Sequence, residues 1–218
     1  MSSITRPEGA ATRERILEAA AVLFATRGYA GTSTRDIARE VGIRQPSLFH
    51  HFDSKQSIIA ELLDRDLRPA LERIRRYRAA SAGAAARLYA YLITDAAALI
   101  ELPFDARGLY TDEVFLSEGL ADQKALREEL HIETAELVAE GIAAGDFREV
   151  DPNFAQQVVS AMMIDTQWHV GAGVTIDRSR RPAEIAEFVL LGLLRDPARL
   201  DHIRREGLRL ATEEGAVC

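Results

Sequence analysis

The sequence contains a single cysteine, Cys218, at its last position. One cysteine excludes both a disulfide within the chain and a zinc site built from cysteines, and it agrees with a reducing compartment. Glycine and proline are also sparse, with 14 and 7 residues among 218, whereas 47% of the residues are hydrophobic. This composition is typical of a folded protein with a buried core and argues against disorder.

Long hydrophobic runs are missing as well. The longest apolar stretches, 84–100 and 189–194, are interrupted by charge or are too short to cross about 30 Å of hydrocarbon. The first seven residues contain no apolar core of the kind that signal peptides carry. We therefore expect a cytoplasmic protein that does not span a membrane.

Acidic residues outnumber basic ones over the whole chain but not in its first quarter. The 27 Lys and Arg against 34 Asp and Glu give a net charge of −7, which by itself argues against binding to nucleic acid. Residues 1–55 have eight basic and six acidic residues, a net charge of +2, so the acidity lies in residues 56–218. The composition is therefore compatible with a DNA-binding module at the N-terminus.

Apolar residues recur at helical spacing in every long segment, and no segment shows the two-residue alternation of an exposed strand. The sequence therefore predicts an all-α fold. Pro69 is expected to kink or break the fourth helix, and residues 102–117 are expected to form a loop or a short helix. Helices are predicted at about 12–27, 34–41, 45–51, 55–77, 82–101, 121–144, 152–170, 182–195 and 197–213.

Residues 33–52 have the pattern of a helix-turn-helix. Ser33 and Asp36 have the spacing of a capping box at the start of a short helix. Gly42 permits a tight turn, and Pro46 suits the first turn of the next helix. Generic antiparallel helix pairs share much of this pattern, but a helix-turn-helix presents its second helix end-on to the DNA major groove. Its small core is expected to comprise Ile37, Ala38, Val41, Ile43, Leu48 and Phe52.

Four segments stand at fixed spacings in this region: TRERILEAA at 12–20, TSTRDIA at 32–38, VGI at 41–43 and PSLFHHFDSK at 46–55. With them, residues 10–60 resemble the DNA-binding domain of the TetR family of bacterial transcriptional regulators. Phe49 departs from the family, which usually has tyrosine there, so we expect its ring to pack against the sugar-phosphate backbone. The segment EGIAAGDFR at 140–148 resembles the join between two late helices of the family's regulatory domain.

The resemblance implies a set of DNA contacts around the second helix of the motif. Arg44 can bind guanine and Gln45 can bind adenine through two hydrogen bonds each, and Pro46 can contact a thymine methyl group. Arg35 and Lys55 have the alternative of being solvated surface charges, and His51 that of a structural hydrogen bond. The predicted DNA-binding residues are Thr34, Arg35, Arg44, Gln45, Pro46, Ser47, Phe49, His50, His51 and Lys55.

The resemblance also implies a domain order: a flexible tail at 1–10, a helix-turn-helix domain at 11–55, and a ligand-binding and dimerisation domain at 56–218. Helices 152–170 and 182–195 are apolar around most of their circumference, which requires cover on several sides. An ordinary core within the chain is one possible cover; pairing with a second copy in a four-helix bundle is what the resemblance implies. The predicted dimerisation residues are Val159, Trp168, Ile185, Phe188 and Val189.

A cavity for a small effector is expected in the larger domain. We expect an uncharged or weakly polar molecule with an aromatic or acyl portion, since ligand pockets are mostly apolar with few polar groups. Each lining residue has plain core as its alternative. Asp165 and His169 share a helical face, but no third metal ligand is evident, so neither a metal nor a cofactor is expected. The predicted pocket residues are Phe104, Tyr110, Phe115, Met162, Met163 and His169.

Catalytic motifs are missing from the sequence: it has neither a His-Glu-x-x-His helix, nor Gly-x-Ser-x-Gly, nor a glycine-rich phosphate loop. We therefore expect no enzyme but a homodimeric regulator that binds double-stranded operator DNA, most often as a repressor released by a small-molecule effector. The alternative from another class is a small-molecule-binding or enzymatic helical protein whose N-terminal helices are only structural. An activator or a regulator without a ligand is a third possibility.

Overall fold

The computed structural model describes residues 8–171 and 177–213, except for the side chains of residue 8 and of residues 166–171. Within these ranges the chain forms ten α-helices, two short 3₁₀ helices and no strand, which confirms the all-α fold. The 3₁₀ helices span Ala106–Gly108 and Pro197–Arg199. The α-helices are α1 (Glu8–Arg27), α2 (Thr34–Val41), α3 (Gln45–Phe49), α4 (Lys55–Ala79), α5 (Ala84–Ile100), α6 (Asp112–Leu116), α7 (Ala121–Ala143), α8 (Pro152–Gly171), α9 (Arg181–Leu193) and α10 (Leu200–Glu213).

None of the helices in the described ranges has the length and apolar character that a membrane span requires.

The predicted helix boundaries differ from the observed ones mainly at the ends of the chain. Helix α1 begins at Glu8 rather than at residue 12, so Thr12 lies inside the helix and does not cap it. Ala10 and Ala11 have the highest helix propensity of any residue type, which favours the extra turn. Helix α10 begins at Leu200 because residues Pro197–Arg199 form a 3₁₀ helix first.

Helix α4 runs without interruption from Lys55 to Ala79, so Pro69 does not break it. Proline lacks the amide hydrogen that would bond to the carbonyl four residues earlier. Pro69 is exposed, whereas Leu67, Ala70 and Leu71 around it are buried, and this burial holds the helix together across the missing bond. At its start, Ser54 is the cap: the amide of Ser57 donates to Ser54 Oγ at 3.1 Å, and the amide of Ser54 donates to Ser57 Oγ at 3.1 Å.

The chain divides into two compact units. The first unit contains the residues up to Arg65 together with 102–124, and the second contains 66–101 and the residues from 125 onward. The division therefore falls inside α4, ten residues beyond the predicted domain boundary at 55, and it places the segment after α5 in the first unit. The functional domain boundaries remain a prediction.

The first unit is built around α1, which packs against α2 and against the 3₁₀ helix at 106–108. Its core contains Ile16, Leu17 and Phe24 of α1, each at most 1% exposed. The inner faces of α2 and α4 complete the core with Ile37, Ala38, Ile58, Ile59 and Leu62.

The second unit has α5 at its centre, where 14 of 17 residues are buried. Helix α5 packs against α8, α9 and α10. Its one buried carboxylate, Asp95, lies 3.6 Å from Nε of Arg73 and accepts a hydrogen bond of 3.3 Å from the hydroxyl of Tyr91. Burial raises the pKa of Asp95, and the charge of Arg73 opposes that shift. The ion pair therefore offsets part of the cost of burying a carboxylate in this helix.

The join between α7 and α8 depends on contact between a glycine and an aromatic ring. A Cβ atom added to Gly141 would lie 2.2 Å and 2.3 Å from two ring carbons of Phe147, which is fully buried. We expect Gly141→Ala to force this ring out of place and to lower the free energy of unfolding by about 1–3 kcal/mol, as overpacking does. Urea unfolding followed by circular dichroism measures the change.

Gly9→Ala is the matched control, because Gly9 is exposed in α1 and the nearest atom to its added methyl group, Cε1 of His51, lies 4.0 Å away. We expect this variant to be at least as stable as the wild type, since alanine favours a helix over glycine by about 1 kcal/mol. Equal stability of Gly141→Ala and the wild type would contradict the close packing at Phe147.

Candidate nucleic-acid interface

The two short helices of the predicted motif are joined as the sequence indicates. The amide of Asp36 donates to Ser33 Oγ at 3.2 Å, and the amide of Ser33 donates to Asp36 Oδ2 at 3.1 Å, which confirms the capping box at the start of α2. Hydrogen bonding from Ser33 lowers the pKa of the Asp36 carboxyl. Gly42 ends α2 in the left-handed conformation with φ +76°, where a side chain would be strained.

A small core under α2 and α3 fixes the angle between them. Leu48 is completely buried and is the only buried residue of α3. It faces the core formed with the buried residues Ile37, Ala38, Val41 and Phe52, whereas Ile43 is half-buried. This arrangement confirms the predicted core for five of its six residues, all except Ile43.

The opposite side of α3 is open to solvent. Arg44 is the N-cap residue and makes no capping hydrogen bond with its side chain. Arg44, Pro46, Ser47 and His50 are exposed, and the ring of Phe49 is 44% exposed. The residues predicted to contact DNA bases are therefore presented on one short, outward-facing element.

Gln45 is half-buried because it bonds within the motif. Its Nε2 donates a hydrogen bond of 2.9 Å to Thr34 Oγ1 in the first turn of α2. A side-chain amide has two hydrogens and a carbonyl oxygen, so this bond still leaves one donor and the acceptor for a base. Thr34 thus acts on Gln45 in the free protein by fixing the amide's orientation.

Two of the predicted phosphate contacts have structural partners in the free protein. The ammonium group of Lys55 donates to the carbonyls of Tyr29 and Thr32, at 2.7 and 3.0 Å, and lies 4.0 Å from the centre of the Tyr29 ring. Burial lowers the pKa of Lys55, although the charge of Glu113 opposes the shift. Lys55 is therefore not a freely solvated surface charge. Two of its three N–H groups are used within the protein, and a phosphate contact by the third remains a prediction.

His51 is half-buried, and its carbonyl accepts a hydrogen bond of 2.6 Å from Nη1 of Arg13. The guanidinium group of Arg13 lies 4.0 Å from the centre of the Phe52 ring and also forms an ion pair with Glu61. Arg35, by contrast, is exposed at the start of α2. Among the predicted contacts with the sugar-phosphate backbone, Arg35, Phe49 and His50 are thus the exposed ones.

Three charged residues, Glu14, Glu61 and Arg65, join α1 to α4, and the sequence analysis did not single them out. Arg65 of α4 donates to Glu14 of α1 at 2.6 and 2.9 Å and to Glu61 at 2.7 Å. The four-residue spacing of Glu61 and Arg65 on one helix is a sequence signal for their pairing. The pairing with Glu14, 51 positions away, has no such signal.

The residues predicted to bind a ligand fall in different units. Phe104 is buried, and the rings of Tyr110 and Phe115 stack with centres 6.1 Å apart, all within the first unit. Met163 is buried in the second unit, and Met162 is half-buried there. His169 lies outside the described side chains, so the pocket as a whole stays a prediction.

A separate apolar pocket of about 100 Å³ lies on the second unit between α8 and α9. Its walls include Met162 and three predicted dimerisation residues, Val159, Phe188 and Val189. Val159 and Val189 are buried, as is Ile185. The exposed apolar side chains of these walls are Phe188, 68% exposed, Phe154, 57% exposed, and Val158, 39% exposed. Trp168 lies outside the described side chains. Phe154 was not predicted, although it stands four residues before Val158 on the same helical face.

No group of three His, Cys, Asp or Glu side chains is placed to hold a metal ion in the part of the chain that the structure describes.

Comparison with known proteins identifies this arrangement. Residues 16–62 match the model of bacterial regulatory proteins of the tetR family. The chain is 34% identical over 173 residues to the HTH-type transcriptional repressor KstR2 of Rhodococcus jostii, covering 76% of this chain and 83% of that protein.

Solved structures agree over most of the chain's length. The crystal structure of Mycobacterium smegmatis AmtR superposes with a TM-score of 0.75 at 33% identity, covering 91% of this chain and 93% of that one. The ketosteroid transcriptional regulator KstR2 of Mycobacterium tuberculosis gives 0.72 at 26% identity, covering 84% and 95%. The chain therefore belongs to the TetR family of bacterial regulatory proteins, which are helix-turn-helix transcriptional regulators.

Proposed function

We propose that the protein is a homodimeric repressor that binds a palindromic operator through α3 and is released from it by a small-molecule effector. The observation that carries this proposal is the solvent-exposed side of α3 and of its cap residues Arg44 and His50, held outward by the complete burial of Leu48. The repressor activity of the R. jostii relative supports the direction of control.

In this proposal the start of α3 reads the bases. Arg44 is exposed and can bind O6 and N7 of guanine, and Gln45 can bind adenine with its remaining donor and acceptor. Pro46 and Ser47 complete the contact. The phosphate contacts come from Thr34, Arg35, Phe49, His50, His51 and Lys55, and they position the motif on the duplex without specifying sequence.

A second copy covers the face around the apolar pocket of α8 and α9. Phe154, Val158 and Phe188 leave apolar surface exposed there, whereas Val159, Ile185 and Val189 are already buried within the chain. Contiguous exposed apolar surface of this kind marks an interaction site. A dimer also supplies the two recognition helices, about 34–36 Å apart, that two half-sites of an operator require.

Control by an effector requires that it bind the DNA-competent state and the released state unequally, and coupling of about 1–3 kcal/mol is usual. Helix α4 is the element through which we propose that this coupling passes, since it belongs to both units without interruption. In the second unit its C-terminal part is bound to α7: Arg75 donates to Glu129 at 2.7 Å and to Glu133 at 2.8 Å.

Removal of the base-reading side chains tests the DNA contact. We expect Arg44→Ala and Gln45→Ala each to weaken binding to the operator by about 1–3 kcal/mol, because each bidentate contact contributes that much discrimination. Selection of bound genomic fragments defines the operator, and a mobility-shift titration over a range of salt concentrations measures the affinity.

Arg205→Ala is the control for loss of positive charge, because Arg205 is exposed on α10 in the second unit. We expect its operator affinity to equal that of the wild type. If the wild type binds no fragment at low salt, the proposed regulatory function is wrong. The alternative, a helical protein that binds a small molecule or acts as an enzyme, is then favoured. If the two α3 variants keep the wild-type sequence preference, the base-reading assignment is wrong.

The oligomeric state tests the α8 and α9 face. We expect Phe188→Asp to convert the dimer to a monomer, because the charge would have to be buried at the centre of an apolar interface. Sedimentation velocity measures the mass of the particle. Leu208→Asp on α10 is the control, since Leu208 is also exposed, at 41%, but does not line the apolar pocket of α8 and α9. A Phe188→Asp protein that remains dimeric contradicts the proposed interface.

Thermal unfolding tests the effector site. We expect a ligand at 100 times its Kd to stabilise the protein by about 2.7 kcal/mol and thus to raise the Tm by a few degrees. The screen uses apolar metabolites with an aromatic or acyl portion, and it includes ketosteroids because the similar M. tuberculosis protein is a ketosteroid transcriptional regulator. An unchanged Tm across the whole panel counts against effector control by such molecules.

A further inference from the structure

The segment that follows α5 packs closely against α1 within the first unit. A Cβ atom added to Gly108 would lie 2.4–2.6 Å from backbone atoms of Phe24 and Ala25. Real Cβ atoms essentially never approach so closely, so only glycine allows the 3₁₀ helix to lie directly on the end of α1. The α1 backbone that it touches comes immediately before the turn that leads to α2.

That turn is bound from the same segment by Glu113 of α6. The amide of Ala30 donates a hydrogen bond of 2.7 Å to Glu113 Oε1. The other carboxylate oxygen faces Gly28, where an added Cβ would lie 3.5 Å from it. Glu113 is exposed, so it holds the turn from the surface of the unit.

Lys55 binds the same turn through its carbonyls, as described above, while Glu113 binds one of its amides. The charge of Glu113 also acts on both Lys55 and Tyr29, so the carboxylate, the ammonium group and the turn form one electrostatic cluster. Immediately after the turn, Ser33 caps α2, and Thr34 then orients Gln45. A displacement of the turn therefore reaches the start of α2 and, through it, the base-reading amide.

We propose that Gly108 and Glu113 are positioning residues for DNA binding: they dock residues 102–124 on the turn at 28–32 and so hold α2 and α3 where they fit the operator. The inference rests on the proposed function but adds a route that does not pass through α4. The chain enters this segment directly from α5 and leaves it through α7, and most of both helices belongs to the second unit.

The direction in which operator affinity changes when the charge of Glu113 is removed distinguishes a positioning role from a purely electrostatic effect. Removal of a negative charge near a DNA-binding surface ordinarily strengthens binding, since DNA is a polyanion. If Glu113 positions the turn, its removal weakens binding instead. Asp112, the neighbouring exposed residue of α6, provides the matched charge change without the bond to Ala30.

The experiment compares Glu113→Ala, Glu113→Gln and Asp112→Asn with the wild type, using the operator fragment at several salt concentrations. We expect Glu113→Ala to bind about three- to tenfold more weakly, as the loss of one hydrogen bond allows. Glu113→Gln keeps an acceptor for Ala30 and should recover most of the affinity. Asp112→Asn should bind as tightly as the wild type or more tightly.

The salt dependence provides a readout that a general loss of stability would not change. If α2 is displaced, phosphate contacts at its start are lost, and the slope of log affinity against log salt falls by about one for each contact. We expect this fall for Glu113→Ala and for Gly108→Ala, which changes no charge, and not for Asp112→Asn.

Glu113→Ala binding as tightly as the wild type, or more tightly, overturns the positioning role and leaves the proposed repressor intact. Failure of Glu113→Gln to recover affinity also overturns it, because the bond to Ala30 is then not what matters. A wild-type protein that binds no operator overturns the proposed function, and this inference with it.

Discussion

The position of α3 in the helix-turn-helix depends on the buried side chain of Leu48. Helix α3 has five residues, too few to be stable alone in water, so its existence and direction depend on what it packs against. Leu48 supplies that packing against α2, and the left-handed Gly42 lets the chain turn tightly enough for the contact to form. Arg44, Pro46 and Ser47 point outward because Leu48 points inward.

The acidic composition of the chain has a structural explanation in the second unit. Glu129, Glu133, Glu136 and Glu140 follow one face of α7 at intervals of three and four residues, and they pair with Arg75 and Arg78 of α4. Burial would raise the pKa of Glu133, but hydrogen bonds from both arginines lower it. These four acids thus join two helices of the second unit, whereas residues 1–55, which contain the helix-turn-helix, keep a net charge of +2.

Most helices could be predicted from the sequence because amphipathic spacing, caps and glycine stops are local signals. Helix α2 was predicted at its observed bounds, since the Ser33 cap and Gly42 lie on either side of it. The predictions failed where packing outweighs local preference. Pro69 does not break α4 because the buried residues on either side of it hold the helix together. No local pattern carries that information.

For the candidate site, spacing within about twenty residues predicted the motif and its small core, and the resemblance to the TetR family added the contact residues at the start of α3. Only the tertiary structure placed Lys55 on the carbonyls of the turn at 28–32 and Glu113 on its amide, across 83 positions of sequence. It likewise separated exposed Phe188 from buried Val189, two adjacent apolar residues of one helix. The physical reason is the same in each case: hydrogen bonds and burial depend on which distant segment folds against a residue, and spacing along the chain does not record that.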